Sequence, residues 1–405
     1  MTAQGLHSLS VKNFGILGDV KVELQRLNVL VGPNGSGKST LLNVIAFLGD
    51  AARSQLANAV ATRGGFDRLH TRSGTGGAIE IAVKMVVTAH ANSNALDEYS
   101  LSFHPVRVRS RDNVAVPIRR GFRQNEAFRF KRTRGKGRRI TLQGGKLSLV
   151  DEGRSPRQLE IDKDAFGLAV LPQLGEAEGA TEVRKMQELF TTCRVFDVDA
   201  RAARLPSDAR AAVPLRNDAA NLAAFLGYLA EEHDDLLSAL IRDAREIVSG
   251  LVDVKLREIG GGAEAVVVDI VDRNLPGATP LADASFGTVR ALALLAMLHD
   301  PHPPLLTCVE EIDHGLHPHV FDRLVDLLRE ASSRSNGTQF LIATHSPALV
   351  NRLRPDELIV CERDETTGLA RIPAIDPEEV AQIANESEYG LGEIWFSGSL
   401  GGVPR

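Results

Sequence analysis

Residues Leu27 to Thr40, LNVLVGPNGSGKST, constrain the fold of this chain more than any other stretch. Leu27 to Val31 is an apolar run that reads as a buried strand. Gly32, Pro33, Asn34, Gly35, Ser36, Gly37, Lys38 and Ser39 then satisfy G-x-x-x-x-G-K-[ST] at every position, and Thr40 follows. Leu41, Leu42, Val44, Ile45, Phe47 and Leu48 recur at helical spacing behind them. Strand, glycine loop and helix in this order predict a phosphate cradle. Glycines let backbone N–H groups turn onto an anion, and the helix N-terminus adds partial positive charge. Lys38 is placed to reach the β- and γ-phosphates, and the Ser39 hydroxyl to ligate Mg²⁺. The expected ligand is a nucleoside triphosphate with Mg²⁺. The bland alternative, a glycine-rich turn before an ordinary helix, does not explain the complete motif in this context.

A phosphate loop serves many activities, so other residues must choose among them. Leu305 to Glu311, LLTCVEE, is an apolar strand ending in two carboxylates. Glu310 is assigned to the metal and Glu311 to orienting and deprotonating an attacking water. An exposed acidic strand end is the alternative. Gln339 to Pro347, QFLIATHSP, is a further buried strand that ends in Thr344, His345 and Ser346. That position is the carboxyl edge of a parallel sheet, where open α/β folds bind ligands. Alone, His345 would read as a helix cap or an ordinary loop histidine; its spacing from the paired glutamates argues for a functional role. Ala282 to Arg290, ADASFGTVR, precedes an apolar helix, with Ser285 a candidate N-cap and Gly287 just inside, again offering amides to an anion. One chain cannot readily wrap a single triphosphate with two such helix ends plus Lys38, whereas two facing chains can.

Composition bounds the partners. A net charge of −5 implies no global attraction to nucleic acid, but charge is unevenly distributed. Residues 105–140 hold thirteen basic residues against Asp112 and Glu126, a local +11 that leaves −16 for the remainder. Phe122, Phe128 and Phe130 are interleaved with them. Two readings stand: a nucleic-acid footprint with phenylalanines stacking on bases, or a solvated hairpin with phenylalanines in the core and arginines paired to acidic surface. An acidic protein partner is a variant of the first. Cys193, Cys308 and Cys361 lack metal-ligand spacing and fit a reduced cytoplasmic protein. No apolar run approaches the ~18 residues of a membrane span, so no membrane association is expected.

The rest of the chain reads as scaffold. Leu6 to Leu24 predicts two antiparallel strands around Asn13-Phe14-Gly15, with Phe14 either a core aromatic or a base-stacking one. Residues 51–77 read as a surface loop system, and Ile79 to Val87 and Tyr99 to Val108 as strands. GEAEGATE, Gly175 to Glu182, reads as a linker before a short helix, with a short strand at Cys193 to Val198. Leu222, Phe225, Leu226 and Leu229 mark one helix, and Leu236 to Ile247 a second. No heptad run is long enough for a coiled-coil arm.

Together these segments resemble the ABC-type ATPase head of the RecF/SMC group, especially compact bacterial predicted ATPases of the AAA family related to the nucleotide-binding part of overcoming-lysogenization-defect proteins. VKNFGIL resembles that group's opening, GPNGSGKST its Walker A, and ASFGTVRALALLA its signature segment. LLTCVEEIDHGLHP resembles Walker B with its D-loop, and FLIATHSP the switch-histidine strand. The order is the family's, and the resemblance covers most of residues 1–375. It implies a P-loop α/β fold with a mixed sheet flanked by helices, an antiparallel β lobe and a helical insertion. The expected division is an N-terminal lobe 1–175 with the basic insertion 105–140, a helical insertion 176–260, a C-terminal lobe 261–375 and a tail 376–405.

Carried over by position, the resemblance implies that Lys38, Ser39 and Thr40 bind phosphate and Mg²⁺, and that Glu310 is the Walker B acid. Glu311 is then the catalytic glutamate and His345 contacts the γ-phosphate. Ser285 and Gly287 would reach ATP held by a second copy, with Arg290 supporting that interface, so two ATP are sandwiched in a head-to-tail homodimer. Three departures stand out: Phe286 in the signature, Ile312 after the glutamates, and no glutamine within 63–77, where the family's glutamine loop belongs. Sixty residues follow His345, too little sheet for the Toprim nuclease of longer members. The tail around Trp395 and Phe396 either packs on the head or docks a partner. The implied function is an ATPase (ATP + H₂O to ADP + phosphate) that gates DNA binding or a separate effector protein, in anti-phage defence or DNA repair. A nucleotide-sensing scaffold with little hydrolysis and a transporter's ATPase subunit are the alternatives.

Overall fold

The computed structural model describes residues 4–72, 76–107, 119–132, 135–208, 210, 213–260 and 265–402. Five short strands form a wholly parallel sheet in the order Arg194–Phe196, Leu306–Val309, Gln339–Thr344, Leu27–Val31, Leu358–Val360. Every residue of Leu27–Val31 and Gln339–Thr344 is buried, as expected for parallel strands covered on both faces. Alternate side chains feed two cores. Leu27, Val29 and Val31 join one, with Phe340 and Ile342, while Leu30, Leu341 and Ala343 join the other. Because these strands run the same way, the residues after Val31, Val309 and Thr344 collect along a single edge.

The second core is closed by an eight-stranded antiparallel sheet. Its order is Leu17–Glu23, Gly5–Phe14, Ile79–Val86, Asp97–Arg107, Arg119–Phe130, Arg138–Gln143, Lys146–Val150, Arg157–Glu160. The helix Lys38–Ser54 contributes Phe47 to this core, 5.6 Å edge-on from Phe14 and stacked 5.7 Å from Phe103. Phe14 is therefore a core aromatic, 1% exposed, and not a base-stacking one.

The basic segment resolves the same way. Phe128 and Phe130 are buried in this core, and Phe122 packs on Phe66 and Phe103, which removes all three as base-stacking residues. Arg129 and Lys131 pair with Glu98, while Arg132 and Arg138 pair with Asp151 and Glu182. Arg109, Arg111 and Arg134 lie outside the described residues.

Three expectations are revised. Residues 51–77 are not merely loop: the first helix runs to Ser54, and Leu56–Thr62 and Phe66–Leu69 are further helices, held by Leu56, Ala59, Val60, Phe66 and Leu69 in the core. The linker around Gly175 to Glu182 is short, since the helix Ala180–Thr191 starts within it. Residues 176–260 are not purely helical. They supply the parallel sheet's edge strand Arg194–Phe196 and, with Leu251–Ile259, part of a small antiparallel sheet beside the helices Leu222–Glu232 and Asp234–Ile247. The tail packs back on the head: Leu391, Ile394, Trp395 and Leu400 are buried in the first core, leaving Phe396 outward.

Candidate functional site

Val31 delivers the chain into a loop whose shape depends on glycine. A Cβ on Gly32 would sit 2.1 Å from the Cys361 carbonyl oxygen, at a φ of +153°. The loop returns to the helix Lys38–Ser54, which starts with no side-chain cap, leaving its first amides available to an anion. Lys38 is 6% exposed and folds over the loop, donating from Nζ to the Gly32 carbonyl at 2.7 Å and to that of Pro33 at 3.0 Å. Ser36 Oγ is buried without any hydrogen-bond partner. A cation resting on carbonyls and an orphaned hydroxyl beside uncapped amides form a donor set suited to phosphate.

The carboxylates arrive from the adjacent strand ends. The Ser39 hydroxyl donates to Glu310 Oε2 at 2.9 Å, bringing together two hard oxygen donors from positions 271 residues apart. Such a pair fits Mg²⁺, which prefers oxygen ligands supplied by one or two side chains plus phosphate. Glu311 follows in left-handed backbone geometry, φ +47°, with its side chain exposed at the sheet edge and 3.4 Å from His314 Nδ1. That conformation is uncommon outside glycine and clusters at functional sites. His345 projects from the neighbouring strand end, beside the Gly32 backbone. Although it reaches solvent, partial desolvation followed by the Lys38 cation lowers its pKa, so the imidazole is neutral near pH 7.

The segment around Ser285 forms a separate, outward-facing element. Ser285 caps the helix Phe286–Leu298, its hydroxyl accepting from the Thr288 amide at 3.1 Å. This helix is apolar all round and buried from Val289 to Leu298, which fixes its exposed N-terminus rigidly. Gly287 abuts the loop after the glutamates; a Cβ there would meet the Gly315 carbonyl oxygen at 2.5 Å. Phe286 is 39% exposed and lies against the His314 ring.

Arg290 is not where the sequence placed it. It is 2% exposed and lies inside its own chain, so it supports no interface directly. Its guanidinium donates to the carbonyls of Val198 at 3.0 Å, Glu310 at 3.2 Å and Glu311 at 2.5 Å. A buried arginine at helical spacing behind a cap looks like surface in the sequence; only the fold shows what it holds. Two more contacts were illegible. Thr344 donates to Asp313, tying the histidine strand to the loop beyond the glutamates, and Arg26 holds the Ser332 and Gly337 carbonyls across the sheet.

Lys38, Ser39, Glu310, Glu311 and His345 thus gather at one sheet edge, while Ser285 and Gly287 stand on a separate helix end. No glutamine lies within 63–77; there Thr71 donates its amide to the Asn13 carbonyl, joining this stretch to the first hairpin.

The fold is of the RecF/SMC-like ABC-type ATPase head type. A solved SMC head bound to the C-winged-helix domain of ScpA superposes over 93% of this chain and 99% of its own, with a TM-score of 0.52 at 14% identity. The Smc head with an extended coiled coil, bound to the C-terminal domain of ScpA from Pyrococcus furiosus, gives 0.47 at 13% identity, covering 95% and 99%. The SMC head domain from Thermotoga maritima gives 0.43 at 14% identity, covering 93% and 100%. Residues 27–351 match the family described as AAA domain, putative AbiEii toxin, Type IV TA system, and the chain belongs to that family. No curated protein matches it. Among the described residues, no helix is long and apolar enough to cross a membrane.

Proposed function

We propose that this protein is an ATP-hydrolysing switch that works as a head-to-tail homodimer in the cytoplasm. Gly32 to Thr40 of one copy hold the triphosphate, with Lys38 leaving its loop carbonyls for the β- and γ-phosphates. Mg²⁺ at Ser39 and Glu310 would neutralise phosphate charge as it develops. Glu311 takes a proton from a water whose oxygen attacks the γ-phosphorus; the bond to the β-bridging oxygen breaks and ADP leaves with its electron pair. Neutral His345 donates a hydrogen bond to the γ-phosphate. Ser285 and Gly287 of the second copy close the site, so hydrolysis reopens the dimer.

The observation that carries this reading is the approach of Ser39 Oγ to Glu310 at 2.9 Å beside the Lys38-capped loop. The cycle gates a separate effector protein or nucleic acid, in anti-phage defence or DNA repair. A protein partner is the favoured output, because the phenylalanines of residues 105–140 are in the core and four of its cations are paired. The solved SMC head carrying a ScpA domain offers an analogy for such docking. The absence of glutamine from residues 63–77 favours a second reading, a nucleotide-sensing scaffold that barely turns over. Phosphate release decides between them. Wild-type protein should hydrolyse ATP with Mg²⁺, and Glu311→Gln should bind ATP with hydrolysis reduced at least ~100-fold, the scale for losing a general base. Equal, negligible turnover by both proteins would favour the scaffold.

A further inference from the structure

The parallel sheet gives the phosphate loop two unlike sides. The strand that delivers the loop, Leu27–Val31, lies between Gln339–Thr344 and Leu358–Val360. His345 follows the first neighbour, and Glu310 and Glu311 follow the strand beyond it. A nucleotide whose third phosphate faces those groups leaves the loop with its sugar and base on the opposite side. That side is built by the short hairpin of Glu362–Arg363 and Ala370–Arg371, which comes directly after Leu358–Val360. The hairpin abuts the loop. A Cβ on Gly37 would meet Ala370 at 2.9 Å, and one on Gly35 would lie 3.7 Å from Arg363 Nη1.

A cavity of about 550 Å³ opens there, between the hairpin, the turn Gly15-Ile16 and residues 68–72. Its volume falls in the range of small-molecule sites. Gly15 links it to the phosphate site, since a Cβ at that position would be 2.9 Å from the Thr40 side chain. Arg68, Arg72 and Arg363 line the cavity with His70, and among the described residues no carboxylate does. Nor, among the described residues, does a carboxylate pair with any of these three arginines. Arg363 donates from Nε to the Gly368 carbonyl at 3.0 Å, which holds its guanidinium plane and leaves both terminal nitrogens uncommitted. A fixed guanidinium plane is suited to stacking on a base, and its remaining donors to ring nitrogens and ribose oxygens.

We propose that this cavity holds the ribose and base of the nucleotide whose phosphates occupy Gly32 to Thr40 of the same chain, with Arg363 stacked on the base. The subsite rests on the phosphate-loop reading above and adds to it the contact that separates a nucleotide from a bare polyphosphate. It needs no second copy, because every residue in it surrounds the loop of its own chain.

ADP and inorganic pyrophosphate make the test, since they share two phosphates and differ by the nucleoside, and neither requires hydrolysis. Each is titrated calorimetrically into the full chain with Mg²⁺. Arg363 is exposed, so its replacement leaves the core in place. Arg363→Ala should weaken ADP binding ~10-fold, the scale of one lost stacking contact, and leave pyrophosphate within about twofold. Arg363→Lys, which keeps the charge but not the plane, should recover little of the loss. Unchanged ADP affinity, an equal loss for pyrophosphate, or full recovery by lysine overturns the subsite while leaving the phosphate loop intact. A wild-type chain that binds neither ligand overturns the nucleotide reading as well.

Discussion

Arg290 donates to the main-chain carbonyl of Glu311 at 2.5 Å, with Glu310 held by the same nitrogen at 3.2 Å. A fully buried guanidinium thus fixes the backbone of both carboxylates from the helix that Ser285 caps. Glu311 sits at φ +47°, a geometry that surrounding contacts must maintain. Removing the clamp should release it. Arg290→Ala is expected to destabilise the fold by roughly 2–5 kcal/mol, since three carbonyls lose a charged donor. Arg290→Lys, which cannot span three carbonyls, should retain more stability yet lower hydrolysis more than ATP affinity. Urea melts and steady-state kinetics check both; a lysine variant with wild-type turnover would show that the clamp does not position Glu311.

Gly287 leaves no room for a side chain beside Gly315, where a Cβ would approach the carbonyl oxygen to 2.5 Å. Gly287→Ala should push the helix end away from the loop that follows the glutamates. Monomer ATP affinity should survive, because Gly32 to Thr40 are elsewhere, whereas ATP-driven dimerisation should fall at least ~10-fold, as for one lost charge-assisted contact. Fluorescent-nucleotide titration alongside light scattering would reveal the split; equal effects on both would contradict it.

The pKa of His345 is lowered by partial desolvation first and by Lys38 second. Its neutral form is therefore favoured, and acidification below its ordinary range is needed to charge it. Lys38→Ala removes one of the two lowering effects, so the imidazole pKa should rise in that variant. Imidazole NMR titration of both proteins tests the coupling. An unchanged value would place the Lys38 cation too far from His345 to matter.

Glu126 is a buried residue of the sheet strand Arg119–Phe130, accepting from the Tyr99 hydroxyl at 3.0 Å and from the amides of Gly167 and Leu168. Burial raises its carboxyl to about 7, against those bonds, which pull the other way. The folded value exceeds the ordinary 4.5, so the native state holds the proton more tightly. Its contribution is complete below about pH 4.5 and fades as pH rises through about 7. Wild-type stability relative to Glu126→Gln should fall by up to roughly 3 kcal/mol between pH 4.5 and 8. Parallel stability curves for the two proteins would remove Glu126 as the cause.

The site was legible where chemistry is local to a strand end. Ser39, Glu310, Glu311 and His345 each follow an apolar run, and parallel pairing brings those ends to one edge. Ser285 was legible as a cap because its hydroxyl serves the helix directly behind it. Arg290 was not, since its main-chain acceptors lie 20 to 92 residues away in sequence, and burial of a cation runs against residue preference. The phenylalanines of the basic segment were ambiguous for a related reason. Alternation marks a strand face, but only the packing of Phe47 and Phe103 identifies that face as the inner one. Residues 51–77 misled because Gly64 and Gly65 punctuate two helices too short to show a full apolar period.

In the proposed function, ATP joins two copies of this chain. Glu311→Gln protein, monomeric without nucleotide, should double its mass by size-exclusion light scattering on adding saturating ATP with Mg²⁺, and ADP should leave it monomeric. A Glu311→Gln chain that binds ATP yet remains monomeric at micromolar concentration would contradict ATP-driven dimerisation.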